Sequence, residues 1–266
     1  MSKFTDQNYL KSEQYKDSSN LDARVELHKR FSTNSYGWMN WVFDVLLKLP
    51  ADAKILELGC GPGYLWKENV SRIPAGWDIT LSDLSSGMLD SAWRNLVVTG
   101  RPFQFKEIDA QEIPFAGETF DAVIANHMLY HVPDRPKAIG EIKRVLKSGG
   151  YLFATTVGDN HLKEISDWFR RIHKSELWDS FANSFTLENG LDQLKPFFPN
   201  VTVSRYEDNL HVTELEPLIA YFHSGIRAGE LSEDELEKLR SDLESELKAK
   251  GKVFIQKDSG MFEAIK

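Results

Sequence analysis

One cysteine in 266 residues, Cys60, has no partner for a disulfide within the chain and cannot build a multi-thiolate metal site. That scarcity fits a reducing compartment, and the cytoplasm is the expected location. No apolar run approaches the length of a membrane-spanning helix. The opening residues Met1-Ser2-Lys3-Phe4-Thr5-Asp6 lack the apolar stretch of a signal peptide, so no membrane partner is expected. Positive charge is also short: 32 Lys and Arg face 40 Asp and Glu, a net charge of -8 that repels a phosphate backbone. Nucleic acid is therefore not an expected partner, because binding it normally requires a clustered basic surface. Internal repeats, low-complexity tracts and long Gly/Ser linkers are absent as well, which points to one core fold with an insertion or cap.

What is present is globular: 41% apolar and 12% aromatic residues suffice for a large core. The spacing predicts a short helix over Leu21 to Phe31. A second follows, with Trp38, Trp41, Val42, Val45, Leu46 and Leu49 on one stripe, ending at Pro50. From residue 54, short apolar runs alternate with amphipathic segments, as parallel strands joined by crossover helices do. Strands are expected at Ile55 to Leu58, Trp77 to Ser82, Phe103 to Ile108, Phe120 to Ala125 and Tyr151 to Thr156. Helices are expected at Ser86 to Val98 and Pro136 to Leu146, the latter ended by Gly149-Gly150.

Beyond residue 157 the alternation loosens into helical signals at Leu162 to Ile172 and Leu187 to Leu194, and a strand at Val201 to Tyr206. A long charged helix then starts with Ser232 and Glu235 spaced as a capping box, with Leu236, Leu239, Leu243 and Leu247 as its apolar stripe. Val253 to Gln256 and Met261 to Ile265 flank a Lys-Asp-Ser-Gly turn and read as a terminal hairpin or edge strand. The expected architecture is a doubly wound α/β fold, mostly parallel, with a terminal antiparallel hairpin and a helical cap. Residues 1–50 form an N-terminal helical lid and 51–266 the core, with a substrate-cap insertion at about 158–250.

The strongest chemical signal is Ile55-Leu56-Glu57-Leu58-Gly59-Cys60-Gly61-Pro62-Gly63, a strand entering a glycine-rich turn and then a helix. Glycine lets the backbone approach a ligand closely, although a tight strand-to-helix turn alone would also account for Gly59, Gly61 and Gly63. Glu57 is an ionisable residue at the end of an apolar strand, a costly placement unless its charge is used or paired. It is a candidate for orienting the loop and meeting a ligand ammonium group. Asp83 closes the second strand, where a carboxylate can accept two hydrogen bonds from a ribose diol. Ser85 is the better candidate for the helix N-cap.

These segments resemble the class I S-adenosylmethionine (SAM)-dependent methyltransferases of the small-molecule type, methyltransferase type 11/25-like, over about residues 54 to 157. The resemblance runs through Glu57 to Gly63, Ser82 to Leu89, Asp109-Ala110-Gln111-Glu112-Ile113-Pro114-Phe115, Phe120 to Asn126, and Leu146-Lys147-Ser148-Gly149-Gly150. It implies a Rossmann-like fold with S-adenosyl-L-methionine as cofactor. The glycines would shape the turn around the methionine moiety and Asp83 would hold the ribose. Leu84 and Met88 would flank the adenine, Asp109 and Ala110 would recognise its edge, and Asn126 would lie beside the reacting end. The chemistry agrees: adenine offers an amino donor and a ring acceptor, which a carboxylate followed by a backbone N–H matches.

Two other readings stay open at this point. An NAD(P)-dependent oxidoreductase would use the same strand, turn and helix, although Tyr64-Leu65-Trp66 follow Gly63 where GxGxxG places its third glycine. A non-catalytic SAM-binding protein would bind the cofactor without transferring from it. For transfer, positioning and exclusion of water supply much of the catalysis, and a base is needed only if the acceptor must lose a proton. His127 is the candidate base or orienting group, while His131 is expected to cap or pack near Val132-Pro133-Asp134. The two histidines lack a third ligand, so no metal is expected.

Asn126-His127-Met128-Leu129 also departs from the Asn/Asp-Pro-Pro-Tyr/Phe motif of amino DNA methyltransferases. Tyr15 and Arg24, ahead of the core, are expected to help close the site. Trp168, Phe169, Trp178, Phe181, Phe185, Tyr221 and Phe222 are candidates for an apolar acceptor pocket, most of them core. The expected partner is a small-molecule acceptor, bound by a monomer or homodimer.

Overall fold

A computed structural model describes residues 3–173, 184–225 and 231–266. The chain opens with a short helical stretch, Gln7–Tyr9 (α1), continued by a π-helical turn over Leu10–Gln14, and then Ser19–Phe31 (α2) and Trp38–Leu46 (α3). The alternating region forms Lys54–Leu58 (β1), Tyr64–Glu68 (α4), Asp78–Asp83 (β2), Ser86–Val97 (α5), Gln104–Glu107 (β3) and Phe120–Asn126 (β4). Arg135–Val145 (α6) and Leu146–Val157 (β5) complete it. The later part contains Lys163–His173 (α7), Gly190–Leu194 (α8), Asn200–Tyr206 (β6), Asn209–Val212 (β7), Leu215–His223 (α9), Glu233–Lys250 (α10), Val253–Gln256 (β8) and Ser259–Ile265 (β9).

Among the described residues one seven-stranded sheet runs in the order β3-β2-β1-β4-β5-β9-β6. The first five are parallel, and β9 lies antiparallel between β5 and β6. Burial explains the composition. β1 has neighbours on both edges and helices over both faces, and Ile55, Leu56 and Leu58 are inaccessible to solvent. One face packs on α3, α4 and α5 through Val42, Phe43, Leu46, Trp66 and Leu96; the other packs on α6 and α8 through Ile139, Ile142, Val145 and Leu194.

A third cluster joins α2, α7, α9 and α10 to β7 and β8, with Leu27, Trp168, Leu218, Leu243 and Ile255 at its centre. The N-terminal helix α2 thus shares a core with the segments between β5 and β9. The capping box of α10 is formed: Glu235 N donates to Ser232 Oγ and Ser232 N donates to Glu235 Oε2, at 3.3 and 2.8 Å.

The sheet ends in an antiparallel hairpin, but its strands are β6 and β9, with the whole segment 207–258 inserted between them. Val253–Gln256 does not pair with its neighbour in sequence. It pairs with Asn209–Val212, a strand the pattern did not reveal, to form a separate two-stranded sheet. Gly149-Gly150 fall inside β5 rather than at the end of α6, because Leu146 already pairs with Phe120 in extended conformation. The helical signal at Leu187 to Leu194 shortens to α8, with Thr186 and Asn189 organising the preceding turn. Trp178 and Phe181 lie outside the described residues.

Candidate functional site

Strands β2 and β3 lie to one side of β1, and β4 and β5 to the other, so the chain changes direction across the sheet at the β1/β4 boundary. In such sheets the crevice outside the carboxyl ends at that boundary is where ligands bind. A cavity of about 880 Å³ opens there. That is at the upper end of the ~300–1,000 Å³ usual for a small-ligand pocket, which leaves space for two ligands side by side.

The turn after β1 forms its floor. Gly59 and Gly63 adopt φ of 67° and 74°, which disfavours any side chain. A Cβ at Gly59 would lie 2.8 Å from Met128 Cβ, and one at Gly63 would lie 2.9 Å from Leu96 Cδ1. Gly59 therefore lets the loop after β4 close down on the turn, and Gly63 lets α5 pack against α4. Asp83 at the end of β2 locks the arrangement, its carboxylate accepting from Gly61 N at 3.0 Å and Ser85 N at 2.9 Å. Burial pushes its pKa up, countered in part by these backbone donors. Ser85 is the N-cap of α5.

Glu57 is 2% exposed and lies beneath the floor. Its carboxylate accepts from Trp66 Nε1 at 2.5 Å and Asn126 Nδ2 at 3.0 Å. Burial raises its pKa from 4.5 to about 7, against the lowering effect of those two donors. The cavity is lined by Asn126, which Glu57 orients from behind, and Glu57 itself is not among its lining residues. Gly63 is also off the lining and acts through packing. Gly59, Gly61, Asp83, Leu84, Met88, Asp109, Ala110, Asn126, His127, Tyr15 and Arg24 all line the one cavity.

The N-terminal segment crosses this floor as a strap. Ser85 Oγ donates to Tyr15 O at 2.6 Å, and Gln7 Nε2 donates to Asp109 Oδ2 at 2.9 Å. Burial would raise the Asp109 carboxyl, but the donors from Gln111 and Gln7 outweigh it and hold it below its ordinary value. Tyr15 Oη lies 3.0 Å from His131 Nε2, and His131 Nδ1 lies 2.8 Å from Phe4 O. A carbonyl oxygen only accepts, so Nδ1 carries the proton, Nε2 accepts, and the tyrosine hydroxyl donates. Burial lowers the His131 pKa to about 4, consistent with that neutral form. His131 therefore clasps the strap from its place beside the turn at Val132-Pro133-Asp134. The sequence missed this because its partners are more than a hundred residues away.

Arg24 on α2 reaches the carbonyl and hydroxyl of Ser224, anchoring the strap side of the cavity to the end of α9. Among the described residues no carboxylate pairs with it.

The far lobe is built from β4, β5 and β9. His127 holds φ of 49°, uncommon for a residue with a side chain, and its N–H is fixed by Thr155 O at 3.2 Å and Thr155 Oγ1 at 3.0 Å. Its ring packs 5.2 Å from Trp38, and burial followed by the Lys257 charge lowers its pKa to about 4. His28 and His161 stack with ring centroids 6.4 Å apart, and Tyr221 meets His28 edge-on at 6.1 Å. Of the aromatic candidates, Phe169, Tyr221 and Phe222 line the cavity, whereas Trp168 belongs to the cap core and Phe185 packs on Phe262. His28, His161 and Lys257 come from three remote segments and carry no local motif. Among the described residues no group of three or more His, Cys, Asp or Glu is arranged to hold a metal ion.

Comparison with known proteins accords with this geometry. Residues 56–154 match a family described as a methyltransferase domain. The chain is 30% identical over 196 residues to a ubiquinone biosynthesis O-methyltransferase of Alkalilimnicola ehrlichii, covering 66% of this chain and 76% of that protein. It is also 30% identical over 165 residues to a malonyl-[acyl-carrier protein] O-methyltransferase of Enterobacter lignolyticus, covering 60% of this chain and 62% of that one. The chain thus spans less than two thirds of the Enterobacter relative. Among solved structures, phosphoethanolamine N-methyltransferase 2 of Haemonchus contortus in complex with SAM shares the fold. Its TM-score is 0.60 at 21% identity, over all of this chain and 60% of that one.

Proposed function

Because the chain belongs to the class I SAM-dependent methyltransferases, whose cofactor is S-adenosylmethionine, we propose that it transfers the cofactor's methyl group to a small molecule seated beside it in the same cavity. One observation carries the reading: Gly59, Gly61, Asp83, Asp109 and Asn126 line one cavity at the carboxyl ends of β1 to β4. That donor set suits a nucleoside with an amino-acid tail. Asp83, already oriented by Gly61 and Ser85, is assigned to the ribose hydroxyls. Leu84 and Met88 supply apolar contact for the adenine faces, and Asp109 with the Ala110 N–H matches its edge. Gly59 and Gly61 bring backbone close to the methionine end, over which Tyr15 and Arg24 close.

When bound, the cofactor supplies a methyl group already activated on a cationic sulfur. The protein's task is then alignment and exclusion of water. Asn126, held from behind by Glu57 and Thr155, is assigned to the reacting end. Gly63 acts indirectly, by keeping α4 and α5 together. His127 is assigned the acceptor side. Its unprotonated imidazole is ready to take a proton or a hydrogen bond, and an acceptor that loses a proton on methylation would call on it. The strap formed by residues 7–17 is read as a lid, supported by its contacts to Ser85, Asp109 and His131.

The acidity of the chain and the lone buried Cys60 support a small-molecule acceptor and a cytoplasmic setting. No helix among the described residues is long and apolar enough to cross a membrane. Calorimetry with SAM, S-adenosylhomocysteine and NADH tests the cofactor assignment, and acceptor-dependent release of S-adenosylhomocysteine tests transfer. Saturable binding of NADH with none of SAM would overturn the reading.

A further inference from the structure

The far lobe of the cavity has an electrical character that methyl transfer by itself does not require. His28 and His161 stack there, His127 adjoins them, and Lys257 faces all three. Burial first, and then the charges of Lys257 and neighbouring basic groups, hold His28 and His161 well below the ordinary imidazole value. Among the described residues no carboxylate forms an ion pair with either ring, although Asp208 pairs with Lys257 itself. Each acid near the lobe is committed elsewhere or lies at the rim. Asp208 pairs with Lys257 and also accepts from Ser32, Thr33, Asn34 and Asn209; Asp258 pairs with Arg205; and Asp159 is exposed beside Glu188.

The remaining titratable groups facing the lobe are Tyr130 and Tyr221, both driven to stay protonated by burial, and the Arg24 guanidinium. His28 Nδ1 is buried with no hydrogen-bond partner. A buried polar nitrogen without a partner is a site where a ligand atom can complete a hydrogen bond.

Position separates this lobe from the nucleoside. Asp83 ends β2, whereas Lys257 and Ser259 lead into β9, four strand steps away in the sheet order. At ~4.8 Å per step that is roughly 19 Å, beyond the ribose and adenine contacts. We infer that the acceptor carries an oxyanion, a carboxylate or a phosphate, which seats against His28, His161 and Lys257 and presents the atom to be methylated toward His127 and Asn126. This rests on the methyl-transfer reading and deepens it. An oxyanion accepts hydrogen bonds from imidazole N–H groups and the ammonium, and it favours the protonated form of each ring. Binding therefore draws protons in and tightens as pH falls. A cationic amine would instead meet the Arg24 guanidinium, which no carboxylate pairs among the described residues.

The test titrates benzoate, acetate, inorganic phosphate and choline into the protein saturated with S-adenosylhomocysteine, and repeats the titration without it. The expected result is saturable binding of at least one anion, tighter at about pH 6 than at about pH 8, with proton uptake revealed by buffers of different ionisation enthalpy. His28→Phe, which fills the same space and removes the unpartnered nitrogen, is expected to weaken anion binding about tenfold with S-adenosylhomocysteine affinity unchanged. Lys257→Met with Asp208→Asn removes the ion pair as a unit and is expected to abolish it. Choline binding in place of the anions, or anion affinity indifferent to pH and to His28→Phe, would overturn the inference. Failure of S-adenosylhomocysteine to bind would instead sink the cofactor reading, and the titration without it would still decide the anion site.

Discussion

Gly87 offers a way to release the strap without touching the cavity. It lies in the first turn of α5, outside the lining, and a Cβ there would sit 1.8 Å from Lys16 O and 2.9 Å from Lys16 C. Backbone cannot be squeezed that far, so in Gly87→Ala the segment around Lys16 must lift. Lifting it breaks the bonds from Ser85 Oγ to Tyr15 O and from Tyr15 Oη to His131 Nε2. At roughly 1 kcal/mol net for each, about 2 kcal/mol of docking is lost, which is roughly thirtyfold in the docked-to-undocked ratio. The helix itself prefers alanine to glycine by up to about 1 kcal/mol, so the core should hold its melting temperature. Hydrogen exchange reads the strap directly, and calorimetry with S-adenosylhomocysteine reads its consequence. Residues 7–17 are expected to lose protection, and ligand affinity is expected to fall by up to about thirtyfold. Unchanged protection over 15–17 together with unchanged affinity would refute the lid. A cooperative loss of protection throughout the sheet would show that the strap is not a separable unit.

Other outcomes follow from the same contacts. Tyr15→Phe removes one hydrogen bond to a neutral imidazole and should weaken S-adenosylhomocysteine binding about fivefold; removing residues 1–20 should exceed that, and an unchanged affinity in the truncation would count against Tyr15. Gly63→Ala combines left-handed strain with overlap on Leu96, and about 2–4 kcal/mol of stability should disappear in urea unfolding. Glu57 has its folded pKa raised from 4.5 to about 7, so its stabilising share is complete below about 4.5 and is lost as pH rises through about 7. The shift corresponds to about 3 kcal/mol. Glu57→Gln should remove that slope, being less stable than wild type near pH 5, where its amide faces a donor, and equal or better near pH 8; parallel pH dependence in both proteins would contradict it. If His127→Ala and His127→Gln both retain full turnover with the true acceptor, the proton-accepting role of His127 fails.

The parts legible in the sequence are those specified by neighbouring residues. The change from helical to strand periodicity at residue 54 locates β1, and the costly Glu57 and the terminal Asp83 mark the floor, because both signals lie within a few residues of the glycines. The capping box at Ser232 and Glu235 is equally local. Strand partners are not: nothing in Val253 to Gln256 says that Asn209 to Val212, and not Met261 to Ile265, completes its hydrogen bonds. The same limit hid the role of Glu57, whose donors Trp66 and Asn126 are fixed by the fold, and the meeting of His28, His161 and Lys257. His131 read as a turn residue because its turn is adjacent, while Tyr15 and Phe4 arrive from the other end of the chain.

Tyr206 and Ser259 are paired directly across β6 and β9, so the segment 207–258 leaves the sheet and returns to it one strand spacing away, about 5 Å. The segment is therefore carried on a stem that a short turn would close. An exchange of that cassette would have to carry along the faces of α2 and α7 that share its core, whereas the β1 to β4 end of the cavity is encoded upstream of it.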